Sequence, residues 1–289
     1  MDIEKYRALL CVIETGSLSA AAETLGYTPS GISRMMAALE EENGFRLLLR
    51  SRDGAVPTQE CKKMLPSIRE LVFCGEKCRQ LAEGMKGLET GNVVVGTAYS
   101  SCYEPLAQMA SEFHEIYPGI QVQFRNGYST ELVRLMEKRQ VDICIISRRE
   151  GIDRWVPLKE DPVVAWLPNK HPLASCEYLS PDIFSKESYI EIYPGQDSDN
   201  ARILEKCGIK PNTMFSTMDS FAAYSMVKAG LGIAMNNGMN EPGMTEGIKI
   251  IPLKGVPNIS IGIAFLEKAS LASEKFMEFM NAHLERLQV

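Results

Sequence analysis

Long apolar runs and a basic leader are both missing from this 289-residue sequence. No apolar run approaches the roughly 18–20 residues that a membrane-spanning helix needs. The first segment, MDIEKYRALL, carries acidic residues, Asp2 and Glu4, where a secretory signal would be basic. These two absences argue against an integral membrane protein and a secreted one. We therefore expect a cytoplasmic protein without membrane attachment.

Paired cysteines and catalytic motifs are absent as well. The eight cysteines lack CxxC spacing and the density of a disulfide scaffold, so reduced thiols packed as small hydrophobic side chains are expected. The histidines, His114, His171 and His283, lie far apart, and no HExxH, GxSxG, Walker or dinucleotide-binding motif is present. The sequence thus argues against an enzyme, a metal site and a bound cofactor.

Three segments differ in their patterning. Residues 1–58 predict short helices followed by a hairpin around Asp53-Gly54, and residues 59–90 predict one long helix. Residues 91–289 alternate strands and helices, which predicts a parallel sheet covered by helices in two α/β lobes. We expect lobe I to comprise 91–162 and 267–289, lobe II to comprise 163–266, and a ligand cleft to lie between them.

The stretch AETLGYTPSGISRMMAALE predicts two helices joined by a tight turn. Gly26 can take the positive φ of the turn, Thr28 can cap the second helix, and Pro29 suits its first position. Ala22 is small where the helices cross, and Ile32 lies on the inner face of the second helix. A helix-turn-helix requires this combination of residues.

The second of these helices predicts a face that suits the major groove. Its apolar residues turn inward, whereas Ser30, Ser33, Arg34 and Ala37 turn outward. Helix amides and serine hydroxyls can bind phosphate, and Arg34 can reach a guanine edge. The alternative is a solvated polar face, but such a face rarely carries so few charges. The candidate DNA-binding residues are Ser17, Thr28, Pro29, Ser30, Ser33, Arg34, Arg50 and Arg52.

Positive charge is scarce, which by itself argues against a nucleic-acid partner. The chain has a net charge of −6, and residues 1–60 hold six Lys or Arg against nine Asp or Glu. The distribution offsets this objection. Arg34, Arg46, Arg50 and Arg52 fall on the second helix or the hairpin, whereas the acidic run 40–42 falls at the far end of that helix.

The long helix carries a heptad seam. Its seam residues keep a three-four spacing that is typical of a coiled coil, and its length favours a dimer interface. A surface helix packed on its own chain is the alternative. Pro66 is expected to kink the helix. The seam consists of Met64, Leu71, Cys74, Cys78, Leu81, Met85 and Leu88.

Hydroxyl groups cluster where the first three strands of the α/β segment end, in GTAYSSCYEP, NGYSTEL and CIISRRE. In such folds ligands bind at the carboxyl ends of strands and near helix N-termini, so these groups favour a small anion, a carboxylate. Alternatively, each Ser or Thr merely caps a helix. Tyr99, Tyr128 and Phe221 could form an apolar wall. The lobe I candidates are Tyr99, Ser100, Ser101, Tyr128, Ser129, Thr130 and Ser147.

The stretch from YRALLCVIETGSLSAAAETLGYTPSGISRMM to FRLLLRSRDGAVPT resembles the N-terminal domain of LysR-type transcriptional regulators. The resemblance implies a multidomain chain: a winged helix-turn-helix at 1–58, a dimerising linker helix at 59–90, and a two-lobed α/β effector domain at 91–289 resembling periplasmic binding proteins. It also implies a homodimer or homotetramer on double-stranded DNA with an inverted-repeat operator. In lobe II the matching effector positions are Asp197, Ser198, Met218 and Asp219.

Several positions depart from the family pattern, and they affect base specificity and wing geometry. Thr28 stands where the family usually has glutamine, and Leu49 stands where the wing usually has phenylalanine. Asn43-Gly44 and Pro57-Thr58 replace Leu-Gly and Leu-Thr. Two alternatives therefore stay open: a solute-binding or interaction protein whose N-terminal domain no longer binds DNA, and a redox-sensing regulator that uses Cys176 and Cys207.

Overall fold

A computed structural model describes residues 2–51, 54–86, 89–152, 154–239 and 244–287 of the chain. The chain divides into two compact units, Met1–Leu88 and Glu89–Val289. The predictions made for Arg52, Asp53 and Leu88 fall outside the described residues. Within the described ranges, no helix is long and apolar enough to cross a membrane.

The first unit consists of three short helices, a hairpin and a long helix. Gly16, Gly26 and Gly44 end the three short helices in the left-handed region, with φ of 67°, 70° and 77°. Ala21 and Ala22 are buried where the second helix packs on the first and third. The predicted helix-turn-helix is confirmed. The elements are α1 (Ile3–Thr15), α2 (Leu18–Leu25), α3 (Pro29–Asn43), β1 (Leu48–Ser51), β2 (Gly54–Pro57) and α4 (Gln59–Gly84).

The hairpin β1–β2 is held at both ends by the helices. At one end the amide of Ala55 donates to the carbonyl of Gly16 at 2.7 Å, and a Cβ at Gly54 would lie only 2.6 Å from that oxygen. At the other end Oε1 of Glu40 accepts from the amides of Leu47 and Leu48 at 2.9 and 3.1 Å. These contacts fix the position of the hairpin relative to α3.

The long helix α4 begins at the cap Thr58 and continues through Pro66 to Gly84. Its first half packs on its own unit, where Cys61, Leu65 and Ile68 are buried. Most of the predicted seam faces outward in the second half: Cys74, Cys78, Leu81 and Met85 are exposed. Packing on the chain itself thus accounts for the start of α4, and the dimer seam remains a prediction for the remainder.

The second unit alternates strands and helices as the sequence predicts, with strands β6 and β11 as additions. Its strands are β3 (Gly91–Thr97), β4 (Ile120–Asn126), β5 (Ile143–Ser147), β6 (Arg154–Asp161), β7 (Val163–Pro168), β8 (Tyr189–Ile192), β9 (Thr213–Thr217), β10 (Ala234–Asn237), β11 (Ile248–Pro252) and β12 (Ile259–Phe265). Its helices are α5 (Tyr103–Ile116), α6 (Ser129–Glu137), α7 (Ile183–Lys186), α8 (Asp199–Lys206), α9 (Ser220–Lys228) and α10 (Leu271–Asn281).

Lobe I is built on a five-stranded sheet in the order β4-β3-β5-β12-β6. Strand β3 runs parallel to β4 and β5, whereas β12 runs antiparallel to β5 and β6. The prediction that lobe II extends to residue 266 is therefore wrong. The chain returns to lobe I before β12, because Ile261–Phe265 pair with Ser147–Ile143 of β5.

Lobe II contains an antiparallel sheet in the order β10-β7-β11 and a parallel pair, β8-β9. A single bridge between Tyr189 and Ile233 connects the two groups of strands. Helices α8 and α9 begin where β8 and β9 end, so their N-termini lie at one edge of the lobe. A large buried cluster contains apolar residues of both lobes, including Ile145 from β5 and Ala165 from β7.

Cysteine accessibility tests this fold. Cys74, Cys78 and Cys207 are exposed, whereas Cys11, Cys61, Cys102 and Cys144 are buried. Burial raises the pKa of Cys102 to about 11, so its reactive thiolate is scarce at neutral pH. We expect a thiol reagent to label Cys207, which lies outside the predicted dimer seam of α4, far faster than the four buried cysteines in the native protein, as measured by mass spectrometry of peptides. Equally rapid labelling of Cys102 or Cys144 would contradict the fold.

The Thr28 cap of α3 gives a second prediction. Its Oγ1 accepts from the amide of Gly31 at 3.1 Å, and a Cβ at Gly31 would lie 3.2 Å from that oxygen. We expect Thr28→Ala to lower the unfolding free energy of the first unit by about 0.5–2 kcal/mol in urea titrations, and Thr28→Asn to preserve it. Thr24→Ala, on the exposed face of α2, is the matched control. Equal losses in both alanine variants would rule out the cap.

Candidate functional site

The outward face of α3 carries the polar residues that the sequence analysis singled out. Thr28, Pro29 and Ser30 are exposed at the start of the helix, and Arg34 is exposed one turn later. The hydroxyl oxygens of Thr28 and Ser30 lie 3.1 Å apart. This face therefore combines a helix N-terminus, two hydroxyl groups and one accessible guanidinium, which together suit a phosphate backbone and a base edge.

Arg50 of β1 lies beside this face, because its Nη1 donates to Oγ of Ser33 at 3.2 Å. The hairpin arginine and the helix serine, both candidate DNA-binding residues, are thus brought together. Ser17 has a different environment: its Oγ caps α2 by accepting from the amide of Ala20 at 3.4 Å. The predicted contact through Arg52 lies outside the described residues.

Exposed apolar side chains near this face were not predicted. Tyr27 is 42% exposed immediately before the cap of α3. Leu49 and Val56 face each other across the hairpin and are 55% and 57% exposed. Two features of the sequence could have indicated this surface. Tyr27 is an aromatic residue in a turn between two helices, and Leu49 and Val56 are apolar residues in a two-stranded hairpin that is too small to bury them.

A cleft in the second unit lies between the two lobes. Lobe I contributes the carboxyl end of β3 and the start of α6, and lobe II contributes the end of β8, the starts of α8 and α9, and β10. Five predicted residues line the cleft: Tyr99, Ser100, Tyr128, Ser129 and Ser198. Further lining residues are Trp166, Ile192, Tyr193, Asp199, Asn200, Ser220, Asn236, Asn237, Met239 and Met244.

The other predicted effector residues lie outside the lining. Ser101 is buried within the short turn Ser100–Cys102 and is not among the residues that line the cleft. Asp219 caps α9 by accepting from the amide of Ala222 at 2.7 Å. Met218 and Phe221 are 55% and 59% exposed and are not among the residues that line the cleft, so their contact with a ligand stays a prediction. Thr130, Ser147 and Asp197 instead make contacts between the lobes.

The contacts between the lobes centre on the buried guanidinium of Arg149. Its Nη2 donates to Oδ1 of Asp199 at 2.7 Å, and its Nε donates to Oγ1 of Thr130 at 3.0 Å. Oγ of Ser147 donates to the same Asp199 oxygen at 2.7 Å. Oγ of Ser129 accepts from the amide of Ser147 at 3.1 Å. Lobe I thus surrounds a lobe II carboxylate with charged and neutral donors.

A second carboxylate, that of Asp197, lies at the rim of the cleft. Oγ1 of Thr130 donates to its Oδ2 at 3.1 Å, and Arg202 donates to both of its oxygens at 2.6 and 2.7 Å. The hydrogen bond from Arg202 is the main cause that lowers the pKa of Asp197 to about 2. This carboxylate therefore stays ionised at neutral pH.

Two buried polar groups that line the cleft make no hydrogen bond of good geometry among the described residues, although the hydroxyls of Ser129 and Ser147 lie close enough to the first of them, Tyr99, to lower its pKa. They are the hydroxyl of Tyr99 and Nε1 of Trp166, on side chains that are 5% and 1% exposed. Burial raises the pKa of Tyr99 well above its usual value, so the hydroxyl keeps its proton. Each unmet donor costs about 1–3 kcal/mol. Acceptor atoms of a ligand in the cleft would remove this cost.

Sequence reasoning did not single out Asp199 and Trp166 of the cleft lining, or Arg149, which lies beside the cleft. Arg149 follows Ser147 by two positions, so both side chains lie on the same side of an extended chain, which is a usable signal. Asp199 directly follows the helix cap Ser198 and was overlooked for that reason. Trp166 lies in the middle of the buried strand β7, where nothing in the sequence distinguishes a cleft residue from a core residue.

Two protein families match the chain. Residues 3–62 match the family described as bacterial regulatory helix-turn-helix protein, lysR family. Residues 86–285 match the family described as LysR substrate binding domain. The first match covers α1 to the start of α4, which includes the exposed face of α3, and the second covers both lobes and the cleft.

Full-length relatives support the same assignment. The HTH-type transcriptional regulator YvbU of Bacillus subtilis is 27% identical over 283 residues, which cover 96% of this chain and 97% of YvbU. Among solved structures, a full-length OxyR variant of Pseudomonas aeruginosa has a TM-score of 0.72 at 17% identity, with 99% and 95% of the chains covered. CbnR complexed with its target DNA has a TM-score of 0.61 at 18% identity, with 98% and 99% covered.

At these identities the two solved structures support the fold alone. The family matches carry the assignment further, because together they extend from residue 3 to residue 285 with the helix-turn-helix first and the ligand-binding domain second. The chain belongs to the LysR family and is a DNA-binding transcriptional regulator with a C-terminal effector-binding domain.

Proposed function

We propose that this regulator binds an inverted-repeat operator through α3 and the hairpin, as a homodimer or homotetramer in the cytoplasm. A small anionic effector, a carboxylate, binds in the cleft of the second unit and changes the affinity for DNA. The observation that carries the proposal is the exposed face of α3, where Arg34 is accessible and Arg50 is held beside Ser33.

The acidic residues of α3 are arranged so that they oppose DNA binding little. Oε1 of Glu40 accepts from two hairpin amides, and Glu42 pairs with Lys5 at 2.5 Å. Two carboxylates at the end of the helix are therefore engaged within the first unit. The arginines of the same unit lie toward the helix start and the hairpin, so the local charge differs in sign from the net charge.

The exposed second half of α4 supports dimerisation. Cys74, Cys78, Leu81 and Met85 keep a three-four spacing on the helix, and an isolated seam of this kind gains stability by burial against a second copy. A dimer would present two α3 helices to successive major grooves about 34 Å apart. It would also double the number of arginines that face the operator.

The unmet donors in the cleft support an effector with acceptor oxygens. The hydroxyl of Tyr99 belongs to lobe I and Nε1 of Trp166 belongs to lobe II. An effector whose acceptor oxygens reach both groups would bind best in one arrangement of the lobes. Because a ligand shifts an equilibrium toward the state it binds more tightly, such an effector would change the population of lobe arrangements.

The Arg34 side chain gives the direct test of DNA binding. We expect selection from random or genomic fragments to enrich an inverted repeat. On that repeat, Arg34→Ala should weaken binding by about 1–3 kcal/mol in fluorescence anisotropy, which is roughly 5- to 150-fold. Arg7→Ala removes the same charge from the exposed face of α1 and is the matched control.

The control separates base contact from charge. Equal losses of DNA affinity in the two variants would show that only the overall electrostatic field of the first unit matters. That result would contradict the insertion of α3 into the major groove. Failure to enrich any repeat, with and without small carboxylates present, would instead favour a solute-binding role without DNA.

Salt dependence gives a further prediction. If four arginines in each protomer of a dimer neutralised phosphate, the slope of log K against log salt would be about −7, at 0.9 per contact. We expect a shallower slope and weak binding to non-specific DNA, because residues 1–60 hold more acidic than basic residues. Non-specific binding that persists at high salt would contradict this expectation.

A further inference from the structure

We infer that a carboxylate-binding donor set beside the cleft is already filled by an internal ligand, the side chain of the lining residue Asp199, and that a carboxylate effector acts by displacing it. This inference rests on the proposed effector cleft and adds how that cleft is regulated. We call the donor set on lobe I the cradle; it consists of Ser129, Thr130, Ser147 and Arg149.

The cradle has the composition of an anion site. Two of its donors, Nη2 of Arg149 and Oγ of Ser147, converge on Oδ1 of Asp199 at 2.7 Å each. Ser129 and Ser147 are 2% exposed and Arg149 is 8% exposed. Convergent buried donors with one guanidinium bind a carboxylate strongly, because charge-assisted hydrogen bonds strengthen away from water.

Asp199 reaches the cradle from the other lobe. It is the first residue of α8, and its side chain is 20% exposed at the edge of the cleft. The neighbouring contacts come from the same lobe II segment: Thr130 donates to Asp197, and the hydroxyl of Tyr128 donates to Oε1 of Gln196 at 2.6 Å. Residues 196–199 thus hold lobe I through contacts that the chain itself supplies.

Charge balance explains why the position is filled. A buried guanidinium without an anion is strongly unfavourable, since desolvation is not compensated. Among the described residues that line the cleft, Asp199 is the one with a charged side chain, and its charge balances that of Arg149. The chain itself supplies the anion that Arg149 requires, so an added carboxylate must compete with Asp199.

Asp199 has an advantage in that competition because it belongs to the same chain as the cradle. A group attached to the same molecule acts at an effective concentration in the millimolar range or above. An acid that offers only a carboxylate should fail to displace it. A larger acid can also satisfy the hydroxyl of Tyr99 and Nε1 of Trp166, and these extra contacts favour it over Asp199. The effector class is therefore a carboxylate that carries further acceptor groups.

Removal of the internal ligand should create a site for a simple acid, with acetate as the probe. We expect Asp199→Ala to lower the melting temperature of the full chain. Acetate should then raise it saturably by at least about 2 °C, because a ligand that binds only the folded state stabilises it. Sodium chloride at equal ionic strength and the neutral isostere acetamide are the solution controls.

Wild type and Asp197→Ala are the matched protein controls, and acetate should shift each by less than about 1 °C. Asp197 is also an ionised lobe II carboxylate, but its main partner is Arg202 rather than the cradle. An equal response of all three proteins, or no response of Asp199→Ala, would overturn the inference. If Asp199→Ala does not fold, Asp199→Ser leaves the same space and is judged by the same criteria.

The test separates this inference from the proposed function. It uses neither DNA nor an identified effector, so failure of the acetate response would leave operator binding unaffected. Failure to select an operator would likewise leave an acetate response of Asp199→Ala standing.

Discussion

A buried guanidinium must be compensated by an anion, and the arrangement of the second unit follows from how Arg149 meets this requirement. Arg149 lies two residues after β5, is 8% exposed, and finds its anion in Asp199 of lobe II. The pairing brings the carboxyl ends of the lobe I strands against the N-terminus of α8. The cleft is the space beside this contact, so an ion pair sets both its shape and its charge.

The first unit depends on a different constraint, the close crossing of short helices. Ala21 and Ala22 are buried because α2 packs on both α1 and α3. Gly16, Gly26 and Gly44 directly follow the three short helices and end them with a left-handed backbone conformation. These small residues leave little apolar volume in the segment. Glu40 then fixes the hairpin, so that Arg50 reaches Ser33 and the polar side of α3 remains exposed.

Local signals in the sequence were sufficient for the helix-turn-helix and for most of the lobes. Caps such as Thr28 and alternating strands such as β3 and β5 depend on neighbours in the sequence, and they were predicted correctly. Strand β6 was missed because Pro157 and several charged residues obscure its alternation. The return of the chain to lobe I at β12 was missed because pairing with β5 spans more than a hundred residues.

The cleft also shows that local sequence patterns do not predict contacts between residues far apart in the chain. Tyr99, Ser100, Tyr128 and Ser129 could be predicted, since strand ends in this fold class face a ligand site. The contact between Arg149 and Asp199 joins residues 50 positions apart, and no local pattern indicates it. The same is true of Trp166, whose unmet donor is apparent only when the surrounding atoms are known.

The central claim is that the state of the cleft is coupled to DNA binding, and the operator affinity of Asp199→Asn tests it most directly. This variant keeps the shape of the side chain and removes its charge, and Asp197→Asn provides the comparison. Coupling between sites amounts to about 5- to 150-fold in affinity, so the account predicts a change of at least about fivefold for Asp199→Asn alone. Affinities of wild type and both variants within twofold of one another, with all three proteins folded, would contradict it.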